Sequence, residues 1–190
     1  IRVLSIHLDG NKIENFSSNA LSKIGNQPFK YQQTFSLDLA NNKLENIQFR
    51  EVYFLDEIRL NDNRIEYLKA DTFQSVFRIR ILDLNKNHII FINEYAFKDL
   101  KNLEELYLSY NSLTFIKDFL FDQQFKLNKL ILSYNKIENL TSNVFIGLKN
   151  LRNLDLSNNN LNILNPNCFS DLVLVNYLYL NKNQLKSLNR

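Results

Sequence analysis

Along this chain, leucine and isoleucine alternate with polar or aromatic residues in short bursts, and almost every burst ends on an asparagine. The stretch LYLSYNSL (106–113) shows the pattern, and LILSYNKI (130–137) repeats it 24 residues later. Period-two alternation over a few residues predicts a strand with one apolar face. The asparagine marks the point where the chain leaves the strand, since its side chain can bond to the turning backbone.

Aligned on that asparagine, the pattern LxxLxLxxNxL occurs eight times, at Asn11, Asn42, Asn63, Asn87, Asn111, Asn135, Asn159 and Asn183. From Asn63 onward the spacing is 24 residues each time. The clearest copy is LRNLDLSNNNL (151–161), with Leu151, Leu154, Leu156 and Leu161 as its apolar positions. A phenylalanine follows most of these asparagines by ten residues: Phe73, Phe97, Phe121, Phe145 and Phe169. A fixed period of this size predicts a solenoid. One repeat cannot bury its apolar face alone, whereas stacked repeats bury it against each other. An asparagine amide both donates and accepts, so a column of them can satisfy backbone groups inside the stack. The phenylalanines fill the far side of each coil.

Two repeats depart from the period. Asn11 to Asn42 is 31 residues, and the excess falls near GNQPFKYQQT (25–34), which reads as a loop leaving the solenoid. Asn42 to Asn63 is only 21 residues; the phenylalanine motif looks lost there, and FREVYFL (49–55) must close the coil more tightly.

On these motifs the chain is identified as a member of the leucine-rich repeat family, and the 24-residue form with its phenylalanine resembles the typical class of Toll and Toll-like receptor ectodomains, Slit and insect adhesion proteins. The resemblance covers essentially the whole chain. It implies an α/β solenoid: a right-handed horseshoe of eight repeats, with a parallel β-sheet on the concave face and irregular or short helical segments outside. Residues 1–190 then form a single domain, with its long repeat near 25–34 and its short one near 42–62. Cysteine-bonded caps, usual in secreted members, are absent from the sequence, which reads as a fragment of a longer chain.

Composition narrows the function. The net charge of +3 is small and spread out, giving no basic tract of the kind that nucleic acid or an anionic membrane requires. No apolar run is long enough to span a bilayer within this segment, though the parent chain could carry an anchor. One cysteine excludes an internal disulfide framework. Cys168 falls in a mostly apolar column and reads as a packing residue. His7 lies near Asp9 and Asp38, but brings no second histidine or cysteine, so no metal site is expected. No phosphate loop or catalytic constellation can be assembled, so the expectation is no catalysis and no cofactor.

Function should therefore lie in the residues that the repeat leaves free. Four positions before each asparagine the outward column reads His7, Asp38, Arg59, Asp83, Tyr107, Ile131, Asp155, Tyr179. Arg59 between Asp38 and Asp83 suggests a charge ladder. The column two before the asparagine is small or polar, which suggests a shallow, hydrated floor. Of nine tyrosines, Tyr107, Tyr110, Tyr134, Tyr177 and Tyr179 fall on strand-exposed or strand-edge positions of the last four repeats. They read either as a binding surface or as ordinary strand formers. With Glu105, Ile131, Arg59 and Asp83 they make up the candidate concave site. NFS at Asn15 and NLT at Asn139 are candidate glycosylation sites.

The resemblance implies a non-catalytic binding module of an extracellular or cell-surface receptor, adhesion or innate-immune protein, taking a protein or glycan ligand on its concave face. It also allows dimerisation. Alternatives are a cytoplasmic adaptor or effector, for which one unpaired cysteine is natural, and the ligand-binding part of a receptor enzyme.

Overall fold

The computed structural model describes residues 4–21, 35–50, 52–74 and 76–187. Among these, fifteen short strands follow one another along the chain. Eight form one sheet in the order β1 (Leu4–His7), β3 (Phe35–Asp38), β5 (Glu57–Arg59), β8 (Ile81–Asp83), β10 (Glu105–Tyr107), β11 (Lys129–Ile131), β13 (Asn153–Asp155) and β15 (Tyr177–Tyr179). Every pairing in it is parallel, and equivalent repeat positions sit opposite each other, as in Leu106↔Leu130↔Leu154↔Leu178. Parallel neighbours need a crossover between them, and the rest of each repeat supplies it. The crossovers consist of turns, one 3-10 turn (Ser18–Leu21) and short strands in three minor sheets. These are β2 (Asn15–Ser17), β4 (Asn46–Arg50) and β7 (Phe73–Gln74); β6 (Tyr67–Leu68) and β9 (Phe91–Ile92); β12 (Asn139–Leu140) and β14 (Ile163–Leu164). The expected solenoid with its parallel sheet is therefore present, and no described residue of its outer side is α-helical. The loop expected near 25–34 lies outside the described residues.

The core is one continuous column of leucine, isoleucine and phenylalanine. Leu82, Leu106, Leu130 and Leu154 are completely buried, as are their partners two residues later, Leu84, Leu108, Leu132 and Leu156. The asparagines do what their chemistry predicts. Asn135 donates from Nδ2 to the carbonyls of Leu108 (2.9 Å) and Leu132 (3.1 Å), and its Oδ1 accepts the N–H of Leu113 (3.0 Å). Asn87, Asn111 and Asn159 repeat this set with the same spacing. Each amide thus closes the turn of the repeat before its own.

The residue ahead of each ladder asparagine lies in the left-handed region. Gly10 (φ 67°), Asn41, Asp62, Lys86, Tyr110 (φ 56°), Tyr134 (φ 55°), Asn158 and Lys182 occupy this slot. The reversal out of the strand demands it, and glycine, asparagine and aspartate adopt it most easily.

The short repeat corrects one expectation. Its phenylalanine motif is kept: Phe49 is fully buried, pairs in register with Phe73 and stacks on it at 5.6 Å. Phe16 packs against Phe49 on the other side at 5.2 Å. The missing residues fall between Asn42 and Phe49, so the ring arrives seven residues after the asparagine and still reaches the common column. Asp56 helps to close the coil. Its Oδ2 accepts the N–H of Phe35 (2.9 Å), and its Oδ1 accepts Nε–H of Arg78 (2.9 Å).

Candidate functional site

Three positions per repeat face the concave side: six, four and two before the asparagine. Over eight strands they hold six carboxylates (Asp9, Asp38, Glu57, Asp83, Glu105, Asp155) and two cations (Arg59, Lys129). That is a formal charge of −4 on this face of a chain that carries +3 in total.

The cations are already engaged. Arg59 donates from Nε to Glu57 on its own strand (2.7 Å) and lies 3.8 Å from Asp38. The Glu57 hydrogen bond and charge raise the Arg59 pKa further. The expected ladder therefore runs through Glu57, a residue that sequence reading passed over, and does not close on Asp83. Asp83 instead accepts the N–H of Asn85 (2.9 Å), and burial pushes its carboxyl above the ordinary value. Asp155 likewise accepts the N–H of Ser157 (2.9 Å). Among the described residues, neither Asp83 nor Asp155 has a cationic side chain within 4.0 Å.

Tyr107 is half-buried and pinned. Its hydroxyl donates to Glu105 and accepts from Nζ of Lys129 (2.9 Å), and the same ammonium stands 4.9 Å from the ring centroid. Burial first, then the Glu105 contact, raises the phenol above its ordinary pKa. Lys129 was not foreseen, although its outward position on β11 was legible. Ile131 sits directly beside Tyr107 in register, with Asp83 and Asp155 as the next members of the row on either side. Tyr177 and Tyr179 are exposed on β15.

Tyr110 and Tyr134 lie at the rim just beyond β10 and β11. Both are exposed, both are in the left-handed slot, and their rings stack in parallel at 4.2 Å with 9° between planes. Sequence reading put them at the strand edge and missed the backbone conformation. The signal was available, because the same slot holds Gly10, Asn41, Asp62 and Asn158. Two residues before the asparagine, Asp9 and Asn181 are exposed as a hydrated floor would be, but the middle of that column is not. Ser109 and Ser133 are buried and share an Oγ–Oγ hydrogen bond of 2.9 Å.

The remaining candidates lie elsewhere or do little. Asn15 and Asn139 are exposed on the short lateral strands β2 and β12, clear of the concave face. Cys168 is buried, and its thiol is pushed up to about 11 by desolvation, which fits packing and opposes nucleophilic chemistry. His7, Asp9 and Asp38 bring ligand atoms within 4.8 Å of one another at the first two strands. His7 and Asp9 are exposed there, while Asp38 already accepts the N–H of Ala40 (3.0 Å). A core cavity lined by Leu108, Leu113, Phe121 and Leu132 measures about 10 Å³, too small for a substrate. No helix among the described residues is long and apolar enough to cross a membrane.

Comparison with solved structures shows the same fold in two receptor chains. TLR13, from the TLR13–ssRNA13 complex, superposes with a TM-score of 0.78 at 24% identity, over 92% of this chain and 28% of its own. Toll, from the Drosophila Toll–Spatzle complex, superposes with a TM-score of 0.76 at 22% identity, over 97% of this chain and 27% of its own. This chain therefore spans little more than a quarter of either. One of the two complexes contains RNA, so the fold does not support the expected exclusion of nucleic acid. No curated protein sequence matches significantly. The family pattern described as "Leucine rich repeat" matches residues 54–113 and 125–185, more than half of the sequence. With that match, and with its asparagine ladder and in-register parallel sheet, this chain belongs to the leucine-rich repeat family.

Proposed function

We propose that this chain is a non-catalytic binding module, part of an extracellular or cell-surface receptor or adhesion protein, and that it takes a protein ligand on the C-terminal half of its concave face. The observation that carries this reading is the stacked Tyr110–Tyr134 pair. The left-handed slot recurs in every repeat and is filled elsewhere by Gly10, Asn41, Asp62, Lys86, Asn158 and Lys182, so the turn itself does not call for tyrosine there. Neither ring is needed for the core, since both are exposed. Tyrosine is also the residue that gives most contact area for little lost rotamer freedom. Toll, similar in fold, is found in complex with the protein Spatzle, which supports a protein ligand. The acidic concave face opposes a polyanion there.

A displayed library of extracellular protein fragments provides the test. Partners should bind the wild type and lose affinity for an Ile131→Ser/Tyr179→Ser variant. They should keep it for Phe77→Ser, an exposed aromatic outside the three columns. Equal loss with both variants would sink the reading. The extracellular placement is tested separately: protein from its native source should lose mass on N-glycosidase treatment, and unmodified Asn15 and Asn139 would count against it.

A further inference from the structure

The row across β8, β10, β11 and β13 reads Asp83, Tyr107, Ile131, Asp155, and its register is direct. Two carboxylates with no cationic side chain within 4.0 Å among the described residues thus flank Tyr107 and Ile131. At about 4.8 Å per strand they stand roughly 14 Å apart. Three residues further along the same two repeats, the Tyr110–Tyr134 stack stands at the rim. Glu105 and Lys129 both contact the Tyr107 hydroxyl and favour this position of its ring. The floor is closed by Ser109 and Ser133.

Resting on the binding reading above, we propose that this row takes an extended protein segment of the form basic–x–apolar–x–basic, laid across the strands. In an extended segment, alternate side chains point the same way and residues four apart are separated by roughly 13 Å. One apolar side chain then meets Tyr107 and Ile131 in the two repeats that carry the tyrosine stack, while two lysine or arginine heads reach Asp83 and Asp155. Charge selects this partner: the face is −4 while the chain as a whole is +3, so a cationic segment is drawn to this side and an anionic one to the other. A stacked tyrosine pair also accepts a guanidinium on its face.

The experiment is selection of an unbiased displayed library of 15-residue peptides on the unglycosylated protein, followed by titration of the winning peptides against four variants. These are Asp83→Asn, Asp155→Asn, Tyr110→Gly/Tyr134→Asn, and Ile131→Ser/Tyr179→Ser. Glycine is used at 110 because asparagine would complete an Asn-Asn-Ser glycosylation acceptor; Asp155→Asn completes Asn-Leu-Ser, which is why the protein is made without glycosylation. Gly10 and Asn158 hold the tyrosine slot in other repeats, so that double variant should melt within about 3 °C of wild type. Winners should be enriched in the proposed spacing. Each aspartate variant should weaken them about three- to tenfold, the Tyr110→Gly/Tyr134→Asn variant more than tenfold, and added salt should weaken them further. Winners that are neutral or acidic, or indifferent to both aspartate variants, overturn the proposal; if they still need Ile131 and Tyr179, the binding reading survives. Winners indifferent to all four variants overturn both. Poly(U) RNA competing for wild type but not for the Tyr110→Gly/Tyr134→Asn variant would overturn the proposal in favour of a nucleic-acid ligand.

Discussion

Asn135 shows how much one side chain carries. It serves the Leu108 and Leu132 carbonyls and the Leu113 N–H at once, all within the buried stack. Asn135→Ala should cost about 1–3 kcal/mol, because the buried Leu113 N–H loses its acceptor while the Leu108 and Leu132 carbonyls keep only the Asn111 and Asn159 amides; urea denaturation measures it. The tyrosines should separate by environment. Tyr179→Ser should leave the urea midpoint nearly unchanged, whereas Tyr107→Ser should cost about 1–2 kcal/mol, since its hydroxyl joins Glu105 to Lys129. Asp83 gives a pH signature. Its folded pKa is raised, chiefly by burial, so its charge opposes folding above that pKa. Asp83→Asn should be more stable than wild type near neutrality. The gap should shrink as pH falls through the folded pKa and vanish below the unfolded value of about 3.9; paired thermal melts from pH 3 to 8 test this. At this scale the outward columns were legible, since alternation assigns every side chain to a face. The choice by Arg59 of Glu57 over Asp83 was not legible, because it depends on rotamers that spacing does not encode.

The elements are short because each repeat contributes only a few extended residues before the left-handed slot turns the chain away. Their stability comes from neighbours. The phenylalanine column illustrates this, with Phe49 on Phe73, Phe73 on Phe97 and Phe97 on Phe121 at 5.6, 6.3 and 6.3 Å. Phe49→Ala should cost about 3–5 kcal/mol, as for any buried ring removed from a packed column. A cost below about 1 kcal/mol in guanidinium unfolding would show that the short repeat does not share the column. Sequence spacing hid this residue. Counting ten residues from Asn42 gives Val52, while the chain reaches the same point in space after seven. A count fixes sequence distance, whereas packing fixes where a ring must arrive. The lateral strands were equally hidden, being only two to five residues long.

For the whole molecule, the repeat is the unit of change. Removing residues 112–135 joins Asn111 to Lys136 and preserves the period. That deletion should keep cooperative unfolding and a strand-type circular dichroism spectrum, with a denaturant slope reduced roughly in proportion to length. Removing half as many residues should destroy cooperativity, because every later leucine would then miss the core. Architecture was legible at this scale for the same reason: periodicity is a property of the sequence itself. The charge division between faces emerges only when the columns are assembled.

The ladder also has a direction. Asn111 closes the turn begun at Leu84, Asn135 the one begun at Leu108, and Asn159 the one begun at Leu132. No turn is complete until its successor exists. During synthesis the growing end is therefore always one repeat in arrears, with the N–H two residues after its newest asparagine still open to water. At about 5–20 residues per second, that debt lasts roughly one to five seconds per repeat. Translation thus gives this solenoid a clock, and pausing within a repeat would lengthen the exposure of its last unfinished turn.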